Sequence, residues 1–167
     1  MTDKSRFFVV PPGDGEDLTA SSGSVRLKLT AAPTRHSFSL LEVNSLPNDG
    51  PPLHRHLPAD EIFYVLDGNY WFECDGERVD VSTGSLVFVP RGASHRYDTL
   101  TGGRLLIMFT PAGSEGFFSD WARLDRETAG VIEPGDLARL ASGYGIELLA
   151  GSDDASEEPN GAHGVDA

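Results

Sequence analysis

Short apolar segments separated by closely spaced turn residues constrain the fold of this chain most. Residues 24–30 alternate apolar and polar side chains, as in a strand with one buried face. Asp67-Gly68 and Asp75-Gly76 predict tight hairpins, because Asp-Gly pairs readily adopt positive φ angles. Further strands are expected at 36–43, 61–66, 69–74, 77–81, 86–89, 95–99 and 105–110, with turns at Gly84 and Pro90-Arg91-Gly92. About eight to ten short strands indicate an all-β antiparallel sandwich or barrel.

The composition agrees with a turn-rich β domain and limits its partners. The 167 residues include 19 Gly and 11 Pro, and 39% apolar residues are sufficient for a folded core. This length accommodates one ordinary domain. The formal net charge of −13 disfavours nucleic acid and anionic membranes, because the electrostatic part of either interaction would be repulsive. Nucleic acid and membranes are therefore not expected as partners.

The single cysteine and the absence of long apolar segments argue against several further classes of protein. Cys74 alone cannot form an internal disulfide or a zinc site built from several thiolates. No apolar segment approaches the ~18 residues needed to cross a bilayer, and residues 1–6 lack the features of a signal peptide. We expect a soluble, cytoplasmic protein in which any metal is held by histidines and carboxylates.

The two ends of the chain differ in composition from the middle. Residues 1–23 are predicted to form an N-terminal arm, in which Phe7 to Val10 adds an edge strand. Residues 24–112 are assigned to the barrel. Residues 151–167, with five acids and no Lys or Arg, are predicted to be a disordered tail, and His163 in this tail is expected to be exposed and without a role.

Residues 113–150 carry the helical pattern. Ser114 is predicted to cap a first helix, and Pro134 is placed where a proline begins a second one. The first helix has an apolar stripe formed by Phe117, Phe118, Trp121 and Leu124. We expect these helices to cover one end or face of the β domain.

Three histidines and one glutamate are placed where they can meet. His54 and His56 lie two residues apart, so in a strand both imidazoles point to the same face. Glu61 joins them if residues 57–60 fold back, and His95 begins another strand directly after the Pro-x-Gly turn. Three neutral imidazoles and one carboxylate form a mixed nitrogen and oxygen site that suits Fe, Mn, Ni, Co, Cu or Zn.

These residues resemble the two sequence motifs of the cupin superfamily. His54-Arg55-His56, four residues, Glu61, six further residues and Gly68 meet the first motif, although Asn48 stands where the family usually has glycine. The second motif is met by a set of residues at the expected spacings, with Thr99 in place of the usual asparagine: Gly84, Pro90, Gly92 and His95.

The resemblance implies a double-stranded β-helix, the cupin jelly-roll barrel, with short C-terminal helices. It also implies one divalent transition metal per chain inside the mouth of the barrel, bound by His54, His56, Glu61 and His95. The similarity extends to residues 50–56, 109–118 and 144–147, which look like the single-domain, quercetin-dioxygenase-like cupins.

The same resemblance suggests three functions. The first is a dioxygenase for a small enolic, phenolic or diketone-like substrate, with Glu61 as both metal ligand and general base. The second is an oxygen-independent isomerase, epimerase or cyclase in which the ion polarises a carbonyl group. The third is a noncatalytic ligand-binding or sensor module with a structural metal.

Strand alternation suggests which side chains line the pocket. Phe63 and Val65 share the face of Glu61, and Tyr97 shares that of His95. Tyr97 is a candidate for orienting substrate or donating a proton, or it is simply a barrel tyrosine with a satisfied hydroxyl group. Four further large side chains are expected to line the barrel interior: Phe38, Trp71, Phe88 and Met108. Of these, Phe38 and Met108 are also expected to line the substrate pocket.

Three further expectations concern the surface. His36 is interpreted as a strand-end or loop residue, and Arg55 is expected to point away from the metal into a salt bridge. Cupin barrels commonly pair through exposed edge strands, which need covering. A homodimer is therefore expected, with Phe7 to Val10 docked or exchanged at its interface.

Overall fold

The computed structural model describes residues 7–20 and 23–150. The predicted tail, including His163, and parts of the predicted N-terminal arm lie outside the described residues. The chain order of the elements within the described part is β1 (Glu16–Ala20), β2 (Gly23–Leu29), β3 (Ser39–Ser45), β4 (His54–His56), β5 (Asp60–Cys74), β6 (Glu77–Ser82), β7 (Leu86–Val89), β8 (His95–Asp98), β9 (Gly103–Thr110), α1 (Glu115–Glu127), α2 (Pro134–Gly143) and β10 (Ile146–Leu148).

The strands form two connected antiparallel sheets that share β5. The first half of β5 pairs with β7 and β9, and β9 continues through β3 and β2 to β1. The second half of β5 pairs with β6 and β8, and β8 continues through β4 to β10. The predicted all-β antiparallel fold with two C-terminal helices is confirmed.

The predicted hairpin at Asp67-Gly68 is wrong, because β5 runs through both residues as one strand. Asp67 pairs with Arg104 and Gly68 with Gly103, and the register shifts between Val65 and Asp67. Gly68 has a φ of +96°, and a Cβ atom there would lie 2.8 Å from the Gly102 carbonyl oxygen. The pair therefore forms a bulge that takes β5 from one sheet into the other. The second predicted pair, Asp75-Gly76, does form the β5–β6 hairpin.

Gly68→Ala is expected to lower the free energy of unfolding by about 3 kcal/mol, because strain at positive φ adds to a clash with backbone. Gly76→Ala is the matched control, since Gly76 also has a positive φ but its Cβ would meet no atom within 4 Å. The control is expected to lose about 1 kcal/mol. Chemical denaturation measures both values. Equal losses of unfolding free energy in the two variants would contradict a role for the close contact between Gly68 and the Gly102 carbonyl oxygen.

The bulge also corrects the prediction for Trp71. Before it, Phe63 and Val65 are buried; after it, the buried residues are Tyr70 and Phe72, so the alternation has moved by one position. Trp71 is therefore on the outer face, where the Arg78 guanidinium lies 4.2 Å from the ring centroid.

Three other predicted interior residues are also misplaced. Met108 pairs with Leu40 and Ile62, whereas the buried face of β9 carries Leu105, Ile107 and Phe109. Phe88 also pairs with Ile62 and is 56% exposed. Phe38 directly precedes β3 and is only partly buried. Directly paired residues in antiparallel strands share a face, so Met108 and Phe88 are both on the outside of the first sheet.

The N-terminal residues depart from the predicted arm. Phe7 to Val10 form no strand, whereas Glu16–Ala20 forms β1 and pairs with β2. His36 lies in an exposed turn, as expected for a loop residue. No helix in the described ranges is sufficiently long and apolar to cross a membrane.

The two helices begin where the sequence places them, but the predicted cap is wrong. Ser114 precedes α1 without making a side-chain capping hydrogen bond. Instead, the Glu115 carboxylate accepts hydrogen bonds from the backbone N–H groups of Gly113 at 2.6 Å and Ala31 at 2.8 Å. Glu115 thereby fastens the start of α1 to the loop after β2. Pro134 occupies the first turn of α2, as predicted.

Candidate metal centre

Three buried histidines meet on the second sheet. His54 and His56 are the two ends of β4, and their intervening residue Arg55 points away from them. β4 is antiparallel to β8, and His54 pairs directly with His95. The His54 and His95 ring centroids are consequently 4.3 Å apart, and those of His54 and His56 are 5.1 Å apart.

The carboxylate comes from the opposite sheet. Glu61 lies in the first half of β5, between Val89 of β7 and Phe109 of β9, and its side chain is buried. Its Oε2 atom is 2.9 Å from His95 Nε2 and 3.2 Å from His56 Nε2. Candidate ligand atoms of all four residues lie within 4.8 Å of one another.

Backbone carbonyl groups orient two of the imidazoles. His54 Nδ1 is 2.8 Å from the Pro52 carbonyl oxygen, and His95 Nδ1 is 3.2 Å from that of Ala93. A carbonyl oxygen accepts a hydrogen bond, so Nδ1 carries a proton in both rings and Nε2 is the nitrogen directed toward the cluster. This orientation leaves Nε2 of both rings as the atom that would bind a metal.

The burial of the cluster determines its charges. Burial, followed by the neighbouring His95, lowers the pKa of His54 to about 4, and burial also lowers the pKa of His56. Burial acts against the charged form of Glu61, but the hydrogen bond with His95 and the nearby imidazoles lower its pKa overall. Burial likewise opposes protonation of His95, yet the contact with Glu61 raises its pKa. His54 and His56 are therefore neutral at neutral pH, whereas the charged Glu61 carboxylate favours a proton on His95.

This arrangement fits a divalent transition metal. Three imidazole nitrogens and one carboxylate oxygen form a borderline donor set of the kind that binds Fe, Mn, Co, Ni, Cu or Zn. A cation at their centre would compensate the buried negative charge of Glu61. In the metal-free cluster, the contacts of Glu61 with His56 and His95 stabilise this charge. The residues present therefore suit the metal that the sequence motifs imply.

An ion pair next to the centre joins the start of β5, which carries Glu61, to the turn before β8. Asp60 accepts hydrogen bonds from Arg91 Nε at 3.0 Å, from Arg91 Nη2 at 3.0 Å and from the Arg91 backbone N–H at 2.9 Å. The next residue in this turn, Gly92, donates its backbone N–H to the His56 carbonyl oxygen at 2.7 Å. The turn before β8 is thus tied to both ligand-bearing segments.

The Asp60 ion pair predicts a specific acid sensitivity. Hydrogen bonds from Arg91 lower the pKa of Asp60 to about 2. A depressed carboxyl pKa stabilises the fold above the unfolded-state value near 4, and this stabilisation is lost as the pH falls from about 4 to about 2. In urea titrations between pH 2 and pH 6, Asp60→Asn and Arg91→Gln should both lose stability less steeply than the unmodified protein. An unchanged pH profile in both variants would contradict this.

A cavity of about 100 Å³ adjoins the cluster. Tyr97 lines it, as predicted, together with His54, His56 and Glu61. Its other lining residues come from loops, helices and neighbouring strands: Pro51, Pro52, Ile107, Phe117, Phe118, Leu137, Ile146 and Leu148. The centre therefore lies at the base of a largely apolar space.

The other predicted pocket residues are outside this cavity lining. Phe63 is buried behind the centre, with its ring centroid 6.2 Å from that of His95 and 5.4 Å from that of Tyr97. Val65 is also buried in the core. Phe38 and Met108 lie in the places described above. Phe63 therefore supports the pocket residues from behind, whereas Phe117 and Phe118 were missed as pocket residues, although their apolar stripe predicted a covering helix.

Tyr97 is held within an aromatic cluster. Its ring centroid is 5.3 Å from that of Phe72 and 6.1 Å from that of Tyr70, in addition to the contact with Phe63. Burial, followed by the negative charge of Glu61, raises the pKa of the Tyr97 phenol. The phenol therefore remains protonated at neutral pH and can serve as a hydrogen-bond donor beside the centre.

Arg55 has the structural role expected from the sequence. Its Nη2 lies 2.6 Å from Glu147 Oε2, and its Nε donates to the same oxygen at 2.7 Å. Glu147 is the residue opposite Arg55 in the pairing of β4 with β10. This ion pair holds the last strand against the strand that carries two histidines.

A β-barrel with a buried cluster of three histidines and one glutamate near its mouth defines a class of metal-binding barrels. Residues 41–110 match the family of cupin domains. This range includes all four residues of the cluster and the strands that carry them. The resemblance of this part of the chain to the cupins is therefore confirmed.

Comparison with known proteins finds relatives of several activities. The chain is 35% identical over 66 residues to acetate kinase EutQ of Clostridioides difficile, covering 40% of this chain and 38% of that protein. It is 25% identical over 107 residues to quercetin 2,3-dioxygenase of Bacillus subtilis, covering 64% of this chain and 32% of that protein. The chain thus spans about a third of the length of these relatives.

Solved structures show the same fold. The polyketide cyclase RemF from Streptomyces resistomycificus matches with a TM-score of 0.54 and 24% identity, over 62% of this chain and 79% of that one. At this level of identity the similarity concerns the fold. Cupin relatives thus include enzymes, while the fold by itself does not select one reaction.

Proposed function

We propose that this protein is a metal-dependent dioxygenase for a small enolic or phenolic substrate, such as a flavonol-like or diketone-like molecule. The observation that carries the proposal is the cluster of three imidazoles and the Glu61 carboxylate beside a cavity that the Tyr97 phenol also lines. The similarity to quercetin 2,3-dioxygenase over 64% of the chain supports it.

The chain would contribute the proton chemistry. A divalent metal, when bound, supplies a Lewis-acidic centre that favours the deprotonated, electron-rich form of an enol. Glu61 accepts the hydroxyl proton of the substrate, because its carboxylate is charged and faces the cavity. Tyr97 donates a hydrogen bond to a substrate oxygen. The side chains of Phe117, Phe118 and Leu137 exclude water from the reacting groups.

Oxygen uptake tests this function. Protein loaded separately with Fe, Mn, Co, Ni or Cu is mixed anaerobically with a panel of enols, flavonols and 1,3-diketones, and oxygen is then admitted. We expect consumption of one O₂ per substrate molecule, with both oxygen atoms incorporated from ¹⁸O₂. Absence of uptake across all metals and substrates would contradict the proposal.

The second candidate is an oxygen-independent isomerase, epimerase or cyclase. The protonated phenol of Tyr97 next to the carboxylate of Glu61 favours it, since an acid and a base are both available without a redox step. The fold shared with a polyketide cyclase is compatible with it. Substrate conversion under strict anaerobiosis would select this function over the dioxygenase. Binding without conversion under either condition would indicate a noncatalytic module.

We also propose that the protein is a homodimer. The outer face of the first sheet carries large apolar side chains on β5 and β7, of which Leu86 is 64% and Phe88 56% exposed. Exposed apolar faces of this kind commonly mark protein interfaces.

Phe88→Glu is expected to convert a dimer to a monomer in sedimentation velocity. Val79→Glu, an exposed apolar position on β6, is the control that should leave the dimer intact. A monomeric unmodified protein would contradict the proposal.

A further inference from the structure

A second, larger cavity adjoins the cavity beside the cluster. Its volume is about 300 Å³. The two cavities share six lining residues, which are Pro51, Pro52, Tyr97, Phe117, Phe118 and Leu137. Because these side chains border both spaces, the two cavities adjoin, and together they are called the channel, with the candidate metal ligands at its inner end.

The size of the channel limits what it can hold. A space of about 100 Å³ at the centre is small for an organic substrate, since binding sites for drug-sized ligands typically measure roughly 300–1,000 Å³. A molecule that reaches the metal ligands with one end would therefore extend past Tyr97 into the larger space. The channel suits an elongated molecule of two or more rings better than a single small ring.

The walls and the rim of the larger cavity differ in polarity. Val25, Val43 and Trp121 add apolar surface to the shared aromatic residues. Ser24, Asn44 and Asp49 supply the polar groups, and Asn44 Nδ2 donates a hydrogen bond to Ser24 Oγ at 2.8 Å. Asn44 and Asp49 are exposed, which places them at the outer end of the channel. The interior is thus apolar, and the opening is polar.

The charge at this opening is negative. Burial and the negative charge of Asp98 raise the pKa of the Asp49 carboxyl group. Asp98 is therefore a second acid that is close enough to Asp49 to repel its charge. Among the described residues that line the larger cavity, none is Lys, Arg or His. A ligand with an anionic group at its outer end would therefore meet repulsion from Asp49 and Asp98 without a compensating cation.

We propose that Asp49, at the outer end of this channel, selects uncharged planar substrates of two or more rings and rejects analogues with a carboxylate, sulfate or phosphate on the outer ring. This inference rests on the proposed function for the orientation of the substrate, with its enol group at the inner end. Asp49 acts on the outer ring, through its charge, and takes no part in the reaction.

Ligand binding to zinc-loaded protein tests the selectivity without oxygen chemistry. The probes are 3-hydroxyflavone and its 4′-carboxylate derivative. Binding of each probe is measured by the quenching of tryptophan fluorescence. The uncharged probe should bind about tenfold more tightly. Asp49→Lys should reduce this ratio by about three- to tenfold, mainly by tightening the carboxylate. Glu77→Lys changes the net charge equally at the exposed β5–β6 hairpin and should leave the ratio unchanged.

Two tryptophan variants locate the bound probe. Trp121 lines the larger cavity, whereas Trp71 lies on the outer face beside Arg78. Trp121→Phe should remove most of the quenching, and Trp71→Phe should retain it. Quenching that depends on Trp71 would overturn the proposal, as would equal affinity for both probes or an equal effect of Glu77→Lys.

The outcomes separate this inference from the proposed function. Selective binding of the uncharged probe without oxygen uptake by any metal form would overturn the dioxygenase but support the channel. Oxygen uptake with no discrimination between the two probes would support the dioxygenase and overturn the role of Asp49.

Discussion

His54→Ala and Glu61→Ala are each expected to reduce bound metal from about one ion per chain to less than about a tenth of that value. Each variant removes one of four converging ligand atoms. Even substitution of groups that only support a ligand typically weakens metal binding about 10- to 100-fold, so loss of a ligand should weaken it at least about 100-fold. Metal content after dialysis against a weak chelator, measured by plasma mass spectrometry, gives the result.

Two variants serve as controls for metal content. Arg55→Gln changes the residue between the two histidines, whose side chain is bound to Glu147 instead of the cluster. His36→Ala removes an exposed histidine from a turn. Both should retain the metal content of the unmodified protein. Circular dichroism should show that all four variants keep the β fold. Unchanged metal content in both His54→Ala and Glu61→Ala would contradict the site assignment.

Tyr97→Phe is expected to lower kcat by about 100-fold without changing metal content, because loss of one positioned hydrogen-bond donor to a developing negative charge typically costs roughly 10²–10³-fold in kcat. The substitution keeps the aromatic ring and its packing against Phe63 and Phe72. The readout is steady-state turnover of whichever enol gives oxygen uptake, with metal content measured on the same sample.

Tyr70→Phe is the matched control for Tyr97→Phe. Tyr70 belongs to the same aromatic cluster, with its ring centroid 6.1 Å from that of Tyr97, but it is outside the lining of both cavities of the channel. Its loss of a hydroxyl group should leave kcat within about twofold. Equal losses in the two variants would indicate that hydroxyl groups of the cluster matter only for packing, and full activity of Tyr97→Phe would contradict its proposed role.

The convergence of the cluster could be predicted because it follows from short-range rules. Residues two apart on a strand share a face, which brings His54 and His56 together. The short connection through residues 57–60 returns the chain to Glu61, and the turn at Pro90-Arg91-Gly92 directs it into β8 and His95. Each of these steps depends on a few neighbouring residues, so the spacing of the motif residues along the chain is sufficient to predict it.

The path of β5 could not be predicted from the same local rules. An Asp-Gly pair favours positive φ in both a tight turn and a bulge. The pairing of Asp67 and Gly68 with β9, which is more than 30 residues away in sequence, decides in favour of the bulge. The bulge then shifts the alternation in the second half of β5, which places Trp71 outside instead of inside.

The outer part of the pocket depends on tertiary packing. The stripe of Phe117 and Phe118 predicted a helix that covers part of the barrel, but the pattern did not indicate which end. The connection after β9 and the attachment of Glu115 to Ala31 place α1 over the mouth. Likewise, strand pairing with Leu40 and Ile62 determines that Met108 faces outward.

X-ray absorption spectroscopy of the metal-loaded protein tests the central claim most directly. The account predicts one bound ion per chain with scattering from three imidazole rings and additional oxygen ligands. It also predicts no sulfur ligand, because Cys74 is outside the cluster. A spectrum with one imidazole or none, or with a sulfur ligand, would show that the ion is held elsewhere and would contradict the proposed centre of His54, His56, Glu61 and His95.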